Sequence, residues 1–472
     1  MGALRLCYEE RTLPMIISAN PATGEILQTF SCLSPAELEN KLALAQSTFV
    51  SYRRSTFAQR SVWMHQAAQI LDDERETLAC TMTLEVGKTM QASRDEVAKC
   101  AAAMRFFADH AGAFLADKAI GSSAAKSFVR YEPLGPVLAV MPWNFPLWQT
   151  VRFAAPALMA GNVGLLKPAE TVPRCSLALE DVFLRAGFLP GVFQTLLIET
   201  EAVAGILRDP RIRAATLTGS EAAGRAVGEG CGAALKPVVL ELGGSDPFVV
   251  MPSADIAEAV RVGVQARTQN NGQSCIAAKR FLIHADVYDD FAARFTSLMG
   301  TLRVGDPLDP ETQIGPLHTS RARQTLDRQV QDSVQAGARA LVGGHEVDGV
   351  GFFYAPTVLC DIPPSAPAYR EELFGPVALL FRVSDIDHAI VLANDTHFGL
   401  GASVWSRDSA EQERLVAELE CGMVFVNGMV SSDPRLPFGG IKNSGFGREL
   451  SAPGIRAFVN SKTVWIGPAS IT

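Results

Sequence analysis

One cysteine of this chain stands among residues that do not suit a hydrophobic core. In QNNGQSCIAAKR, residues 269–280, Cys275 follows Asn270, Asn271, Gly272, Gln273 and Ser274, all turn formers or hydrogen-bonders. A free cysteine is most often a small buried hydrophobe; it can also be a redox partner or a nucleophile. A nucleophilic thiol needs a base or a positive field, a site for an oxyanion and an acceptor for whatever leaves. Other stretches offer candidates for these parts. In KPVVLELGGSDPFVV, Glu241 ends an apolar run and leads into Gly243–Gly244. Such a carboxylate is either paired with a basic residue or held with a raised pKa, ready to act as a base. In VMPWNFPLWQ, Pro142 and Pro146 bracket Trp143, Asn144 and Phe145. Asn144 can donate its amide N–H to a developing oxyanion, or it can merely cap the helix that follows.

Three further stretches suit a nucleotide. LLKPAETVPR carries Lys167 and Glu170 at the end of an apolar run. A carboxylate so placed can accept both ribose hydroxyls of an adenosine and repel a 2′-phosphate. ATLTGSEAAGRAV sets Gly219 and Ser220 at a helix start, where backbone N–H groups suit a phosphate. REELFGPV places Glu371 and Glu372 before a Phe374 turn, where a solvated acidic pair is the ordinary account.

The elements that must position these residues follow from periodicity. SPAELENKLALAQSTFVSYRRS starts with a Ser34 cap, has Glu37 three residues on and keeps apolar residues at helical spacing. Residues 56–89 read as another helix or a pair, and 90–115 as a further long one. From Pro136 the texture changes to short runs rich in Val, Leu and Ile: PVLAVMP, NVGLLKP, VFQTLLI, AATLTGS and PVVLEL, then DPFVVM, KRFLIH, ARALVGG, PVALLFRV and MVFVNG. Such runs, separated by helices, are strands buried on both faces of a parallel sheet. The fold class expected is α/β, two doubly wound parallel-sheet domains in tandem, joined near residues 238–245. The terminal AFVNSKTVWIG reads as a lone strand that needs a sheet to join, and residues 1–14 as an extension.

Bulk properties narrow the function. A chain of 472 residues exceeds one hydrophobic core, and 48% hydrophobic with 19% charged residues is a globular composition. A net charge of −8 argues against a nucleic-acid partner. No signal peptide or membrane span is read, so no membrane partner is expected. Nine cysteines without a CxxC, and seven scattered histidines, fit a reducing cytoplasmic setting with no metal site.

PWNFP, LTGS, LELGGSDP, NNGQSC, EELFGP and LPFGGIKNSGFGRE occur in this order. From about Asn20 to Trp465 the chain resembles the aldehyde dehydrogenase superfamily. QTVRFAAPALMAGN, GQSCIAAKRF and NGMVSSDPRLPFGG carry a closer likeness to bacterial succinate-semialdehyde dehydrogenases of the shorter type. The resemblance implies a Rossmann-like NAD-binding domain over residues 1–114 and 133–239, and a catalytic domain over 240–442. It also implies a β oligomerisation arm from 115–132 and 459–472, with a returning helix in 443–458, and hence a homodimer or homotetramer.

Carried over, Cys275 is the nucleophile, Glu241 the general base, and Asn144 with the Cys275 N–H the oxyanion hole. Lys167 and Glu170 hold the adenosine ribose, Ser220 the pyrophosphate, and Glu372 and Phe374 the nicotinamide ribose and ring. Pro142, Trp143, Gly219 and Leu242 complete the cofactor site. The implied reaction is NAD(P)-dependent oxidation of succinate semialdehyde to succinate through a thiohemiacetal and a thioester. Glutarate semialdehyde or a broader range of aliphatic aldehydes is the alternative substrate. A cysteine hydrolase would need a histidine base, and no histidine lies in these motifs.

This sequence departs from the pattern at two positions. Ala277 stands where some relatives have a second cysteine, and Gln269 where many have an arginine. Arg152, the only charge in QTVRFAAPALMAGN and one turn past Trp148, needs an anion if buried. Either a structural carboxylate or the distal carboxylate of a semialdehyde meets that need, with Ser432 as helper and Arg267 as a weaker candidate. Glu170 leads to the expectation of NAD over NADP, because a 2′-phosphate beside it suffers like-charge repulsion.

Overall fold

The computed structural model describes residues 14–467. The extension expected over residues 1–14 lies outside them apart from Pro14. Two mostly parallel sheets with helices on their faces organise the chain. The first has six strands in the order Gly445–Phe446, Val238–Glu241, Ala214–Thr218, Pro136–Met141, Val163–Pro168, Phe193–Thr195, parallel except for the first pair. The second has seven, in the order Arg339–Val342, Thr357–Cys360, Val377–Val383, Arg280–His284, Pro247–Val250, Gly401–Trp405, Met423–Val426, with one antiparallel edge pair. The α/β expectation therefore holds, and the uniform burial of strands such as Val163–Pro168 and Ala214–Thr218 shows why their sequences are apolar without alternation.

The first helix starts where its cap predicts. Ser34 and Glu37 close a reciprocal capping box on the Pro35–Tyr52 helix. Residues 56–89 form the pair Phe57–Asp73 and Arg75–Val86, and the next helix runs unbroken from Met90 to Phe114. The Pro146–Ala160 helix is buried at every residue, including Arg152, and packs on the Met90–Phe114 helix. No described helix is long and apolar enough to cross a membrane.

The terminal strand Val459–Ile466 finds its partner within the same chain. It pairs antiparallel with Lys126–Pro133 in a three-stranded sheet with Lys118–Ala119. A separate strand, Gly445–Phe446, returns to the first sheet and lies beside Glu241 and Leu240.

Candidate active site

Cys275 follows a loop that is strained and then pinned. Asn270, Asn271 and Gly272 all have left-handed backbone, with φ of 52°, 57° and 77°. Three such residues in succession persist only when the surroundings over-determine them. Asn270 Nδ2 donates to the carbonyls of Asn144 (2.8 Å) and Gln273 (2.9 Å). Asn271 Nδ2 donates to Gly87 and Pro316, and its Oδ1 accepts from the Gly315 N–H. A β-carbon on Gly272 would stand 2.3 Å from the Gly375 backbone, so only glycine fits. Lys279 Nζ ties the far side, donating to the carbonyls of Ser274 (3.0 Å) and Cys275 (2.9 Å) while ion-pairing with Glu372 at 3.1 Å. The polar flanks of Cys275 thus build the loop that presents it.

Two cavities meet at this cysteine. One, of about 400 Å³, is lined by Cys275, Trp148, Arg152, Ser432, Lys99 and Phe438 among others. The second, of about 230 Å³, is lined by Cys275, Asn144, Pro142, Trp143, Gly219, Ser220, Leu242, Glu372 and Phe374. Cys275 is otherwise enclosed, and burial pushes its thiol up to about 12 against the opposing fields of Arg152 and Lys279.

Asn144 lies at the end of the Pro136–Met141 strand, and its Nδ2 donates to the Gln273 carbonyl at 3.0 Å. It does not cap the next helix. Phe145 occupies the cap position, and the free N–H groups of Leu147 and Trp148 donate to Glu96 Oε1 at 3.0 and 2.9 Å. A buried Lys88–Glu96 pair supports that carboxylate.

Glu241 is 2% exposed, and neither carboxylate oxygen has a hydrogen-bond partner. Burial, followed by the charge of Glu449, raises its pKa well above the carboxylate range, while Arg152 and Arg448 pull the other way. Its carboxyl rests against Gly439, where a β-carbon would come within 2.6 Å of Oε1. In this conformation Glu241 lines neither cavity.

The second cavity has a wall suited to a phosphate. Ser220 caps the Glu221–Ala233 helix by accepting from the Ala223 N–H, which sets a helix N-terminus at the cavity wall. Gly243 forms bare backbone floor, since a β-carbon there would stand 2.5 Å from Glu372 Oε2. Trp143 stacks on His318 at 4.0 Å and meets Phe374 edge-on at 5.9 Å. Lys167 and Glu170 do not line this cavity. They ion-pair with each other at 3.6 Å, and Thr200 Oγ1 bridges them, accepting from Lys167 Nζ and donating to Glu170 Oε1.

A family model described as "Aldehyde dehydrogenase family" matches residues 8–464. The chain belongs to the aldehyde dehydrogenase family. Among curated relatives, "Succinate-semialdehyde dehydrogenase [NADP(+)] 1" of Mycobacterium tuberculosis H37Rv is 55% identical over 456 residues, covering 96% of this chain and 99% of its own. Among solved structures, succinic semialdehyde dehydrogenase from Streptococcus pyogenes, in complex with NADP+, superposes with a TM-score of 0.94 at 35% identity, covering 96% of this chain and all of that one. Succinate-semialdehyde dehydrogenase from Burkholderia pseudomallei matches with a TM-score of 0.93 at 34% identity, covering 96% and 95%.

Two expectations require correction within this family setting. The preference for NAD drawn from Glu170 is overturned by relatives named for NADP(+) and by a structural neighbour that holds NADP+. The structure shows why the inference failed: the Glu170 side chain is half exposed, and Lys167 already offsets its charge, so it sets no lone carboxylate against a 2′-phosphate. Arg267, offered as a substrate contact, lines neither cavity and spends its guanidinium on the carbonyls of Ala278, Gly272 and Gly375. It braces the Cys275 loop.

Arg152 and Ser432 do line the first cavity, but their partners are specific. Arg152 ion-pairs with buried Glu449 and lies 4.4 Å over the Phe438 ring, so the structural carboxylate is present. Ser432 Oγ accepts from Lys99 Nζ at 2.6 Å. Lys99 was not singled out from the sequence. The sequence carries no signal for it: only the structure shows that the turn that buries Glu96 toward Trp148 also carries Lys99.

Proposed function

We propose that this protein oxidises succinate semialdehyde to succinate, with NADP+ as acceptor. The observation that carries the reading is that one thiol stands where two cavities meet, one with a helix N-terminus and glycine floor, the other with a cationic end. In the proposal, Cys275 loses its thiol proton to water in the cavity, and its Sγ adds to the aldehyde carbon to form a thiohemiacetal. Asn144 Nδ2 and the Cys275 N–H steady the oxyanion, which requires Asn144 to exchange the Gln273 carbonyl for it. Pro142, Trp143, Gly219, Ser220, Leu242, Glu372 and Phe374 hold the cofactor, with Lys167 and Glu170 at its adenosine end. The nicotinamide, when bound, supplies the two-electron acceptor that turns the thiohemiacetal into a thioester.

Glu241 then serves as base for the water that hydrolyses the thioester. Its side chain must rotate off Gly439 toward Cys275, and leaving that dry pocket lowers its proton affinity into a useful range. The antiparallel arm of Val459–Ile466 and Lys126–Pro133, with Trp465 and Ile466 half exposed, supports assembly as a homodimer or homotetramer.

The test is absorbance at the NADPH band with succinate semialdehyde, glutarate semialdehyde and butanal. The reading expects the highest kcat/KM for succinate semialdehyde. Equal or greater values for butanal, or no NADPH with any of them, would overturn it.

A further inference from the structure

Tallying the charges around the aldehyde-side cavity leaves one cation unmatched. Arg152 has Glu449. Glu96 has Lys88 and two helix N–H donors. Asp95 is two-thirds exposed and faces Arg75 at 3.9 Å. Lys99 lines the same cavity as Cys275; Glu96 and Asp433 act on its charge, but among the described residues they ion-pair with Lys88 and Arg435 instead. Its ammonium sits 4.4 Å over the Trp148 ring and has one hydrogen-bond acceptor among those residues, Ser432 Oγ at 2.6 Å. An ammonium carries three N–H donors, so two remain for a ligand. Ser432 Oγ accepts from Lys99, which frees its own proton to donate to an incoming acceptor.

We propose that Lys99, with the Ser432 hydroxyl, binds the distal carboxylate of the semialdehyde beside the Arg152 guanidinium, which lines the same cavity. This deepens the reading of the function above and rests on it. A largely buried cation with no carboxylate in direct contact is costly, and a charged substrate that makes that contact recovers part of the cost only on binding. Burial and the charge of Arg152 push the Lys99 ammonium down to about 8, as expected for a cation whose counter-ion arrives with the ligand. The aromatic face of Trp148 then orients the ammonium while leaving its donors free. The site also explains how a chain with Gln269 in place of an arginine still offers the cavity a second positive charge.

The experiment measures kcat/KM for succinate semialdehyde and for butanal, which has a methyl group in place of the carboxylate, in wild type, Lys99→Met, Lys99→Arg and Ser432→Ala. Lys99→Met is expected to lower the ratio of the two kcat/KM values by about 10- to 100-fold, the range for loss of a charge-assisted hydrogen bond, mainly through KM. Lys99→Arg is expected to keep most of the ratio, and Ser432→Ala to lower it less than Lys99→Met. Thermal melting of each variant checks folding; if Lys99→Met does not fold, the ratios of Lys99→Arg and Ser432→Ala decide. A wild type that does not favour the semialdehyde defeats the functional reading itself. A selective wild type with an equally selective Lys99→Met, or with Ser432→Ala unchanged where that variant must decide, overturns this inference alone.

Discussion

Arg152 and Glu449 meet with only 3% and 4% of their side chains exposed, in the field of the buried Glu241 carboxyl. Replacing Arg152 with methionine keeps the apolar stem and removes the cation shared by two buried acids. Breaking a buried pair from one side costs about 3–5 kcal/mol, because the remaining charge is stranded. Removing Glu449 as well, in Arg152→Met with Glu449→Gln, takes the stranded charge away and should recover at least about 2 kcal/mol of that loss. Burial already raises the Glu449 carboxyl, and Arg152 opposes the rise. Without the arginine, Glu449 binds its proton more tightly in the folded protein than in the unfolded chain. Its contribution is then intact at low pH and lost as pH rises, so Arg152→Met is expected to be closer to wild type at pH 5.5 than at pH 8.5. Scanning thermal denaturation at fixed protein concentration reads both effects. A double variant as unstable as Arg152→Met, or a deficit independent of pH, would refute the pairing argument.

Three other outcomes are expected. With its thiol pushed up to about 12, Cys275 of the cofactor-free protein should react with iodoacetamide about tenfold faster per pH unit from pH 7 to 10; a plateau below pH 9 would contradict the cause assigned. Burial pushes His318 down to about 4 from 6.5, so between those values the unfolded chain holds a proton the folded one lacks, and stability falls by about 3 kcal/mol on acidification through that window. The melting temperature of His318→Gln should therefore fall less than that of wild type between pH 7 and 4.5, and parallel losses would count against this. Gly272→Ala should abolish most turnover or soluble protein, since its β-carbon meets the Gly375 backbone at 2.3 Å and its φ is +77°; near-normal activity would show that the loop relaxes.

What was legible in the sequence was local. The polar run before Cys275, Asn144 after its strand and the strand-end positions Lys167, Ser220 and Glu241 can be read from residue type and place on an element, whereas the contacts that pin the Cys275 loop, to Asn144, Gly87, Pro316 and Gly375, lie far along the chain. Strands Thr357–Cys360 and Gly401–Trp405 were not read: one is a four-residue run soon followed by prolines, and the other opens on glycine and small residues. The need of Arg152 for an anion was legible, but the identity of Glu449 was not, since the Gly445–Phe446 return that brings it there is a tertiary event. Lys99 was hidden for the same reason: its contact with Ser432 spans 333 positions, and on a helix period it reads as ordinary surface. The cofactor inference failed because it weighed Glu170 alone, although Lys167, three residues before it, offsets its charge.

In the proposed reaction an acyl group passes through one sulfur atom, that of Cys275. Intact-protein mass spectrometry of Glu241→Gln, mixed with NADP+ and succinate semialdehyde and quenched in acid, tests that most directly. Expected are one equivalent of NADPH and a succinyl thioester that maps to Cys275 and is cleaved by hydroxylamine, with neither formed when Cys275→Ser is added. A burst of NADPH without an adduct on Cys275, or turnover that survives Cys275→Ser, would contradict it.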